Sequence, residues 1–103
     1  MSEFTRVLLV SELAPGSGKQ VLVEGKPVAV FNVSGTFYAI SNTCVHRGGP
    51  LGQGLLDGCV VWCPWHDWTY DVRTGVSTVN PDLKVASYET RVEGGDVYVR
   101  LAP

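Results

Sequence analysis

Near the middle of the chain, two cysteines stand beside the two histidines of the sequence. Cys44 and His46 form a first group, Cys63 and His66 form a second group, and sixteen residues separate the two groups. Thiolate and imidazole are side chains that bind zinc and iron in proteins. Their spacing therefore predicts a metal centre held by two short loops, with one cysteine and one histidine supplied by each.

The mixed composition of each group favours an iron–sulfur cluster. Zinc sites of the finger type usually pair cysteine with cysteine and histidine with histidine, whereas each group here holds one of each. Two thiolates and two imidazoles are the ligands of one kind of [2Fe–2S] centre, in which histidine replaces cysteine on one iron and raises the reduction potential. This interpretation predicts electron transfer, and a structural zinc site or two unrelated Cys/His pairs in a core remain as alternatives.

The elements that must position these groups are predicted to be short antiparallel strands. Glycine and proline number 12 and 6, and β-branched residues are abundant, which favours strands joined by tight turns. No segment has a sustained helical period, so the predicted fold class is all-β, with a loop-built cluster-binding subdomain at approximately 42–81. The strand candidates are 5–10, 19–23, 28–33, 37–41, 55–57, 60–62, 69–72, 88–93 and 96–101. Turns are expected at 24–27, 34–35 and 94–95, a loop at 15–18, and a turn or short helix at 11–13.

Length and charge restrict the possible functions. A chain of 103 residues predicts a single domain, 1–103. The formal charge of −2 and a pI near 5.5, without a basic run, argue against nucleic acid as a partner. The apolar run at 7–10 is too short for a signal peptide or a membrane span, so a cytoplasmic protein with no membrane partner is expected. An odd number of cysteines in that compartment favours metal binding over disulfides.

The two groups resemble the two cluster-binding boxes of the Rieske-type ferredoxins. The first box reads CVHRGGPL over 44–51, the second reads CPWHDWTYD over 63–71, and Arg73-Thr74-Gly75 follows. The resemblance implies the Rieske fold of antiparallel sheets and one [2Fe–2S] cluster. It also implies that Cys44 and Cys63 ligate the inner iron and that His46 and His66 ligate the outer iron.

The resemblance assigns roles to further residues by position. Asn80-Pro81-Asp82 is similar to the family's third loop, which covers the cluster, and Trp65, Pro50 and Pro81 would form an apolar screen.

Respiratory-chain Rieske proteins carry an extra cysteine in each box, but Gly49 and Trp65 stand at those positions, so no bracing disulfide is expected. Trp68 replaces a serine hydroxyl donor, whereas Tyr70 retains the tyrosine donor. A potential toward the low end is expected. The third cysteine, Cys59, is interpreted as a small buried apolar residue.

The implied function is that of a low-potential one-electron carrier. It would take electrons from an NAD(P)H-dependent ferredoxin reductase and pass them to a terminal oxygenase. Docking is expected at the tip around His46, Arg47, Gly48, His66 and Trp68, and the carrier is expected to be a monomer. Catalysis is not expected, because the cluster uses both histidines and a mononuclear iron site needs two more. The alternative is the small subunit of an assimilatory NAD(P)H nitrite reductase.

Overall fold

The computed structural model describes residues 4–44, 49–65 and 68–101. Within them the chain forms nine strands and two short 3₁₀ helices, and all strand pairs are antiparallel. The strands are β1 Thr5–Leu9, β2 Ser17–Val23, β3 Lys26–Val33, β4 Thr36–Ser41, β5 Leu55–Asp57, β6 Val60–Trp62, β7 Thr69–Asp71, β8 Ser87–Glu93 and β9 Asp96–Arg100. The 3₁₀ helices are Val10–Glu12 and Leu51–Gln53. The predicted all-β class is confirmed.

Six strands form a large sheet in the order β1-β9-β8-β4-β3-β2. Strand β3 lies inside this sheet and is buried on both faces, as its apolar run from Val28 to Phe31 requires. Val28 and Val30 belong to one core cluster, and Ala29 and Phe31 belong to the other. The two clusters therefore pack on opposite faces of the same strand.

Three tight turns give the large sheet its hairpins. Glu24 and Gly25 have φ angles of 51° and 82°, Ser34 and Gly35 have 52° and 95°, and the pair Gly94-Gly95 has 59° and 85°. Two consecutive residues with positive φ are typical of the type I′ turn, whose twist matches that of the flanking strands. The predicted hairpins at 34–35 and 94–95 are confirmed.

Three further strands form a small sheet in the order β5-β6-β7. Its strands lie at 55–57, 60–62 and 69–71, within the segment 42–81 that was predicted to carry the cluster. Val61 in β6 pairs with Tyr70 in β7, and both side chains are completely buried in the core cluster that also contains Ala29 and Phe31 of the large sheet. The small sheet is thus fixed to the large one by a shared apolar core.

The structure corrects the sequence-based elements at three places. Ser17 and Gly18, predicted as loop, begin β2, because they pair with Asn32 and Phe31. The turn expected at 24–27 is only Glu24-Gly25, and the next two residues belong to β3. Val10, predicted as the last residue of the first strand, instead begins the first 3₁₀ helix. Among the described residues, no helix is long and apolar enough to span a membrane.

Candidate metal centre

Cys44 and Cys63, the two predicted thiol ligands, are both buried in one core cluster. Cys44 follows the end of β4 and is 2% exposed, and Cys63 directly follows β6 and is 1% exposed. Deep burial of a cysteine lowers access to water and to oxidants, which suits a thiolate that ligates a metal and not one that reacts in solution. The structure thus brings the two predicted thiols into one apolar environment.

The two cysteines begin loops that close in the same manner. The backbone N–H of Cys44 donates to the carbonyl of Gly49 at 3.0 Å, and the backbone N–H of Cys63 donates to the carbonyl of Trp68 at 2.7 Å. In each case the acceptor stands five residues after the cysteine. Each predicted histidine lies in sequence between such a donor and its acceptor, so each Cys/His pair belongs to a loop with a hydrogen-bonded base.

His46 and His66, the predicted imidazole ligands, lie outside the described residues. The same is true of Arg47 and Gly48, which were predicted to form part of the docking tip. Among the residues that the structure describes, no three His, Cys, Asp or Glu side chains come together as a metal site. Ligation by both histidines therefore stays a prediction.

Gly49 and Trp65 face each other, as the predicted correspondence with the extra cysteines of respiratory Rieske proteins requires. A Cβ atom on Gly49 would lie 3.3 Å from Cγ of Trp65 and 2.5 Å from Sγ of Cys63. The second distance is too short for any real Cβ contact. The first loop consequently approaches the Cys63 thiol so closely that a side chain at position 49 would require this sulfur to shift.

Tyr70 connects the small sheet to the first loop. Its hydroxyl oxygen lies 3.1 Å from Sγ of Cys44, and the ring is completely buried. A thiolate bound to iron has no proton to give, so in the presence of a metal the tyrosine would donate to sulfur. Trp68, which stands where respiratory Rieske proteins have a serine, is half-buried and packs against the same core cluster.

The predicted third loop is organised by its own polar side chains. The hydroxyl of Ser77, which is 3% exposed, accepts from the backbone N–H groups of Val79 and Asn80, and Oδ1 of Asn80 accepts from the N–H of Asp82. Pro81 at its centre is exposed. The loop is hydrogen-bonded to β7, because the backbone N–H of Thr78 donates to the carbonyl of Thr69.

The other residues predicted as an apolar screen lie nearer the surface. Trp65 is 57% exposed, and Pro50 is half-buried. Cys59 is half-buried where full burial was expected, but it packs against the core cluster of Cys44 and Cys63 as an apolar residue would. Trp65 and Pro50 thus lie in the two loops nearer the surface than the thiols of Cys44 and Cys63, which are buried.

The Arg73-Thr74-Gly75 segment forms a turn stabilised by an ion pair. The Arg73 guanidinium contacts the Asp71 carboxylate at 2.9 and 3.1 Å, and this hydrogen bonding holds the pKa of Asp71 below its ordinary value. Gly75 has a φ of 82°, and a Cβ there would lie 2.2 Å from the carbonyl oxygen of Val85. The turn therefore ends β7 at a fixed place and leads the chain back beneath the third loop.

Asn42 was not predicted from the sequence as a residue of the site, yet it stands two residues before Cys44 and is 5% exposed. Its side-chain oxygen accepts from the N–H of Gly52 at 2.7 Å, and its side-chain nitrogen donates to Oε1 of Gln20 at 3.0 Å. A polar residue directly after an apolar strand and before a ligand is the signal that could have indicated it.

Together the antiparallel sheets, the two similarly closed loops and the buried thiols define an iron–sulfur protein, and the donor chemistry fits a [2Fe–2S] cluster. Thiolates are the usual ligands of such clusters, and the close approach of Gly49 to Cys63 brings the two loops against a common centre. A family model described as the Rieske [2Fe-2S] domain matches residues 3–89, and the chain belongs to this family. It carries one [2Fe–2S] cluster, and it is an electron carrier of the ferredoxin type and not a catalytic component.

Three known proteins illustrate the relationship. The biphenyl dioxygenase ferredoxin subunit of Pseudomonas sp. strain KKS102 is 41% identical over 98 residues, covering 93% of this chain and 90% of that protein. The ferredoxin of carbazole 1,9a-dioxygenase from Nocardioides aromaticivorans IC177 has a TM-score of 0.88 and 33% identity, covering 93% of this chain and 95% of that one. A chain in the complex of reduced oxygenase and oxidised ferredoxin of carbazole 1,9a-dioxygenase has a TM-score of 0.87 and 35% identity, with coverages of 94% and 92%.

Proposed function

We propose that Cys44, His46, Cys63 and His66 hold the [2Fe–2S] cluster, with both thiolates on the inner iron and both imidazoles on the outer one. The observation that carries this proposal is the pair of buried cysteines, each at the hydrogen-bonded base of a loop that also contains a histidine. When bound, the cluster takes up and releases one electron. The four residues would hold it between two loops, one following β4 of the large sheet and one joining β6 to β7 of the small sheet.

The side chains around the thiols influence the reduction potential of the cluster. Reduction adds a negative charge to the cluster, and the Tyr70 hydroxyl beside Cys44 stabilises this charge by donating to sulfur. The indole of Trp68 supplies no hydroxyl at the position where high-potential members have a serine. One such donor in place of two supports a potential toward the low end of the range for Rieske centres.

The relatives support an oxygenase as one redox partner. Several are named as ferredoxin components of dioxygenase systems, and one solved complex contains an oxygenase with its ferredoxin. An NAD(P)H-dependent reductase is proposed in addition as the electron donor, with the carrier acting as a monomer in the cytoplasm and docking first with the reductase and then with the terminal oxygenase. Docking is proposed at the expected tip, His46, Arg47, Gly48, His66 and Trp68, where a partner would approach the outer iron. Contacts between such redox proteins are small and transient.

The ligand set is tested by metal content and spectroscopy of purified variants. The wild-type protein should be red-brown, contain two irons per chain, and give a reduced EPR signal with the low average g value of mixed nitrogen and sulfur ligation. Cys44→Ser and His66→Ala should lose the cluster. Cys59→Ser is the matched control, since this cysteine lies four residues before Cys63, at the other end of β6, but is not proposed as a ligand. A colourless wild-type protein containing zinc would contradict the proposal.

The partners are tested by electron transfer with purified components. Wild-type protein should be reduced by NADH with a ferredoxin reductase of an aromatic dioxygenase system, and should then support turnover by the terminal oxygenase. A Trp68→Ala variant that retains the cluster should slow the second step more than a distant substitution such as Leu22→Ala. Equal rates for the two variants would argue against docking at the tip.

A further inference from the structure

Asn42 makes hydrogen bonds in four directions at the base of the first loop. Its backbone N–H donates to the carbonyl of Pro27 at 3.1 Å, and its backbone carbonyl accepts from the N–H of Leu51 at 2.7 Å. Its side chain accepts from Gly52 and donates to Gln20. One buried residue thus joins β2, β3 and the second 3₁₀ helix at the point where the ligand loop begins.

The second loop has a different support. It connects β6 and β7, which pair at three successive positions, the last being Trp62 with Thr69 directly below the loop. The first loop connects the end of β4 to a 3₁₀ helix, and within the described residues its two sides meet in an isolated bridge between Thr43 and Pro50. The side chain of Asn42 supplies at this loop the connection that a strand ladder supplies at the other.

The fit around Asn42 is tight. A Cβ on Gly52 would lie 2.8 Å from Oδ1 of Asn42 and 2.9 Å from the backbone nitrogen of Gln20, so the 3₁₀ helix presses its glycine against both residues. An apolar residue at position 42 would leave the buried N–H of Gly52 without this acceptor, and a buried donor without a partner destabilises the fold. The base of the first loop would then lose its side-chain hydrogen bond to the 3₁₀ helix and be held less firmly.

We infer that Asn42 is a positioning residue that holds Cys44 against Tyr70 and thereby sets the reduction potential without touching the cluster. Tyr70 belongs to the small sheet, whereas Cys44 belongs to the loop that Asn42 anchors to the large sheet. The 3.1 Å contact between them therefore depends on how firmly that loop is held. Residues that orient the ligands of a metal in this way commonly tune its properties. The inference rests on the proposed cluster ligands, because the effect is measured at the cluster.

The test is a double-mutant cycle on the potential, measured by voltammetry on the cluster-loaded protein. Asn42→Ala should shift the potential in the negative direction, because the reduced cluster loses stabilisation from Tyr70. The same substitution in a Tyr70→Phe background should shift it by less than half as much, since the interaction is already absent. An equal shift in both backgrounds would show that Asn42 does not act through this contact.

Asn32 provides a matched control. It is 3% exposed, its side-chain oxygen accepts from the N–H of Gly35 at 2.8 Å, and its side-chain nitrogen donates to the carbonyl of Leu13 at 2.8 Å. It lies five residues further along β3 than Pro27, the partner of Asn42, which corresponds to roughly 16 Å. Asn32→Ala should lower the unfolding temperature about as much as Asn42→Ala and leave the potential unchanged. If both variants lower the unfolding temperature by a similar amount and neither shifts the reduction potential, Asn42 has only a structural role.

Two further measurements keep the inference separate from folding and from the ligand assignment. Exchange of the Gly52 amide hydrogen should accelerate in Asn42→Ala but not in Asn32→Ala. If Asn42→Ala does not retain a cluster, the Gln20→Leu variant tests the inference in its place. This substitution removes one hydrogen-bond partner of Asn42 at an exposed position. It should shift the potential negatively by a smaller amount, and an unchanged potential would overturn the inference. Wild-type spectra test the ligand assignment independently.

Discussion

The hydroxyl of Tyr70 lies 3.1 Å from Sγ of Cys44, so a residue of the small sheet contacts the cysteine of the opposite loop. The contact is buried, and both residues belong to the core cluster that also holds Cys63. In so apolar an environment a hydrogen bond to a charged sulfur is stronger than it would be in water. This contact therefore couples the packing of the two sheets to the electronic state of the cluster.

Replacing Tyr70 with phenylalanine should lower the reduction potential. The substitution keeps the buried ring and removes the donor to Cys44, so the reduced cluster loses about 1 kcal/mol of stabilisation. For a one-electron couple this corresponds to a shift of roughly 40 mV. The measurement is protein-film voltammetry at constant pH and ionic strength.

Tyr88→Phe is the control for that substitution. Tyr88 is half-buried and, unlike Tyr70, packs against the other core cluster, on the far side of the large sheet from Cys44. Its removal should leave the potential unchanged. A shift of the same size in both variants would indicate a general effect of losing a tyrosine hydroxyl and would contradict the role assigned to Tyr70.

Gly49→Ala should reduce cluster content. The new Cβ would lie 2.5 Å from Sγ of Cys63, and a sulfur fixed to iron cannot move away as a flexible side chain could. We expect a loss of iron per chain and a decrease in the free energy of unfolding of about 1–3 kcal/mol. Iron analysis and thermal unfolding measure the two effects. Gln53→Ala, exposed at the end of the following 3₁₀ helix, should change neither.

A second substitution identifies the atom responsible. Trp65 also lies near the new Cβ, at 3.3 Å, but its side chain is largely exposed and can turn aside. Trp65→Ala combined with Gly49→Ala should therefore not restore the cluster. Full recovery of iron in the double variant would mean that the indole, and not the Cys63 thiol, makes position 49 intolerant.

Much of the fold could be predicted because its signals are local. The strands at 55–57 and 60–62 have the predicted bounds, since both are rich in apolar residues and the Gly58-Cys59 turn separates them. The spacing of Cys44 and Cys63 beside the histidines predicted them as ligands of one metal centre, and the structure places both cysteines in one core cluster. Patterns of this kind need no knowledge of distant partners.

The remaining features depend on contacts that are distant in sequence. Asn42 acts through Gln20 and Gly52, which stand 22 and 10 residues away, so its importance cannot be recognised from neighbouring residues. The turn after β2 was predicted too long because Pro27 is typical of turns. In the structure Pro27 belongs to β3, where it keeps its carbonyl as an acceptor for the N–H of Asn42.

The same turn offers a stabilising substitution. Glu24 has a φ of 51°, a conformation that is unfavourable for a residue with a long side chain and is better tolerated by asparagine. Glu24→Asn should therefore increase the free energy of unfolding by about 0.5–1 kcal/mol. Urea unfolding followed by circular dichroism measures the gain, and the potential should not change because the turn lies in the large sheet. Gly25→Ala, where φ is 82°, should have the opposite effect on stability.

The ion pair between Arg73 and Asp71 predicts a pH-dependent contribution to stability. Hydrogen bonding by Arg73 lowers the pKa of Asp71 in the folded protein, so the pair stabilises the fold above the unfolded-state pKa, about 3.9, and this stabilisation is lost as pH falls through the folded value. Arg73 is 56% exposed, so solvent screening keeps the effect of Arg73→Met on stability at neutral pH small. Urea unfolding should show a lower free energy of unfolding for Arg73→Met than for the wild type at pH near 7, and a much smaller difference below about pH 4.

Arg91→Met is the control. Its partner Glu93 is itself 62% exposed, so this variant should show little deficit in the free energy of unfolding at either pH. A deficit for Arg73→Met that is constant with pH would assign its effect to lost packing instead of charge.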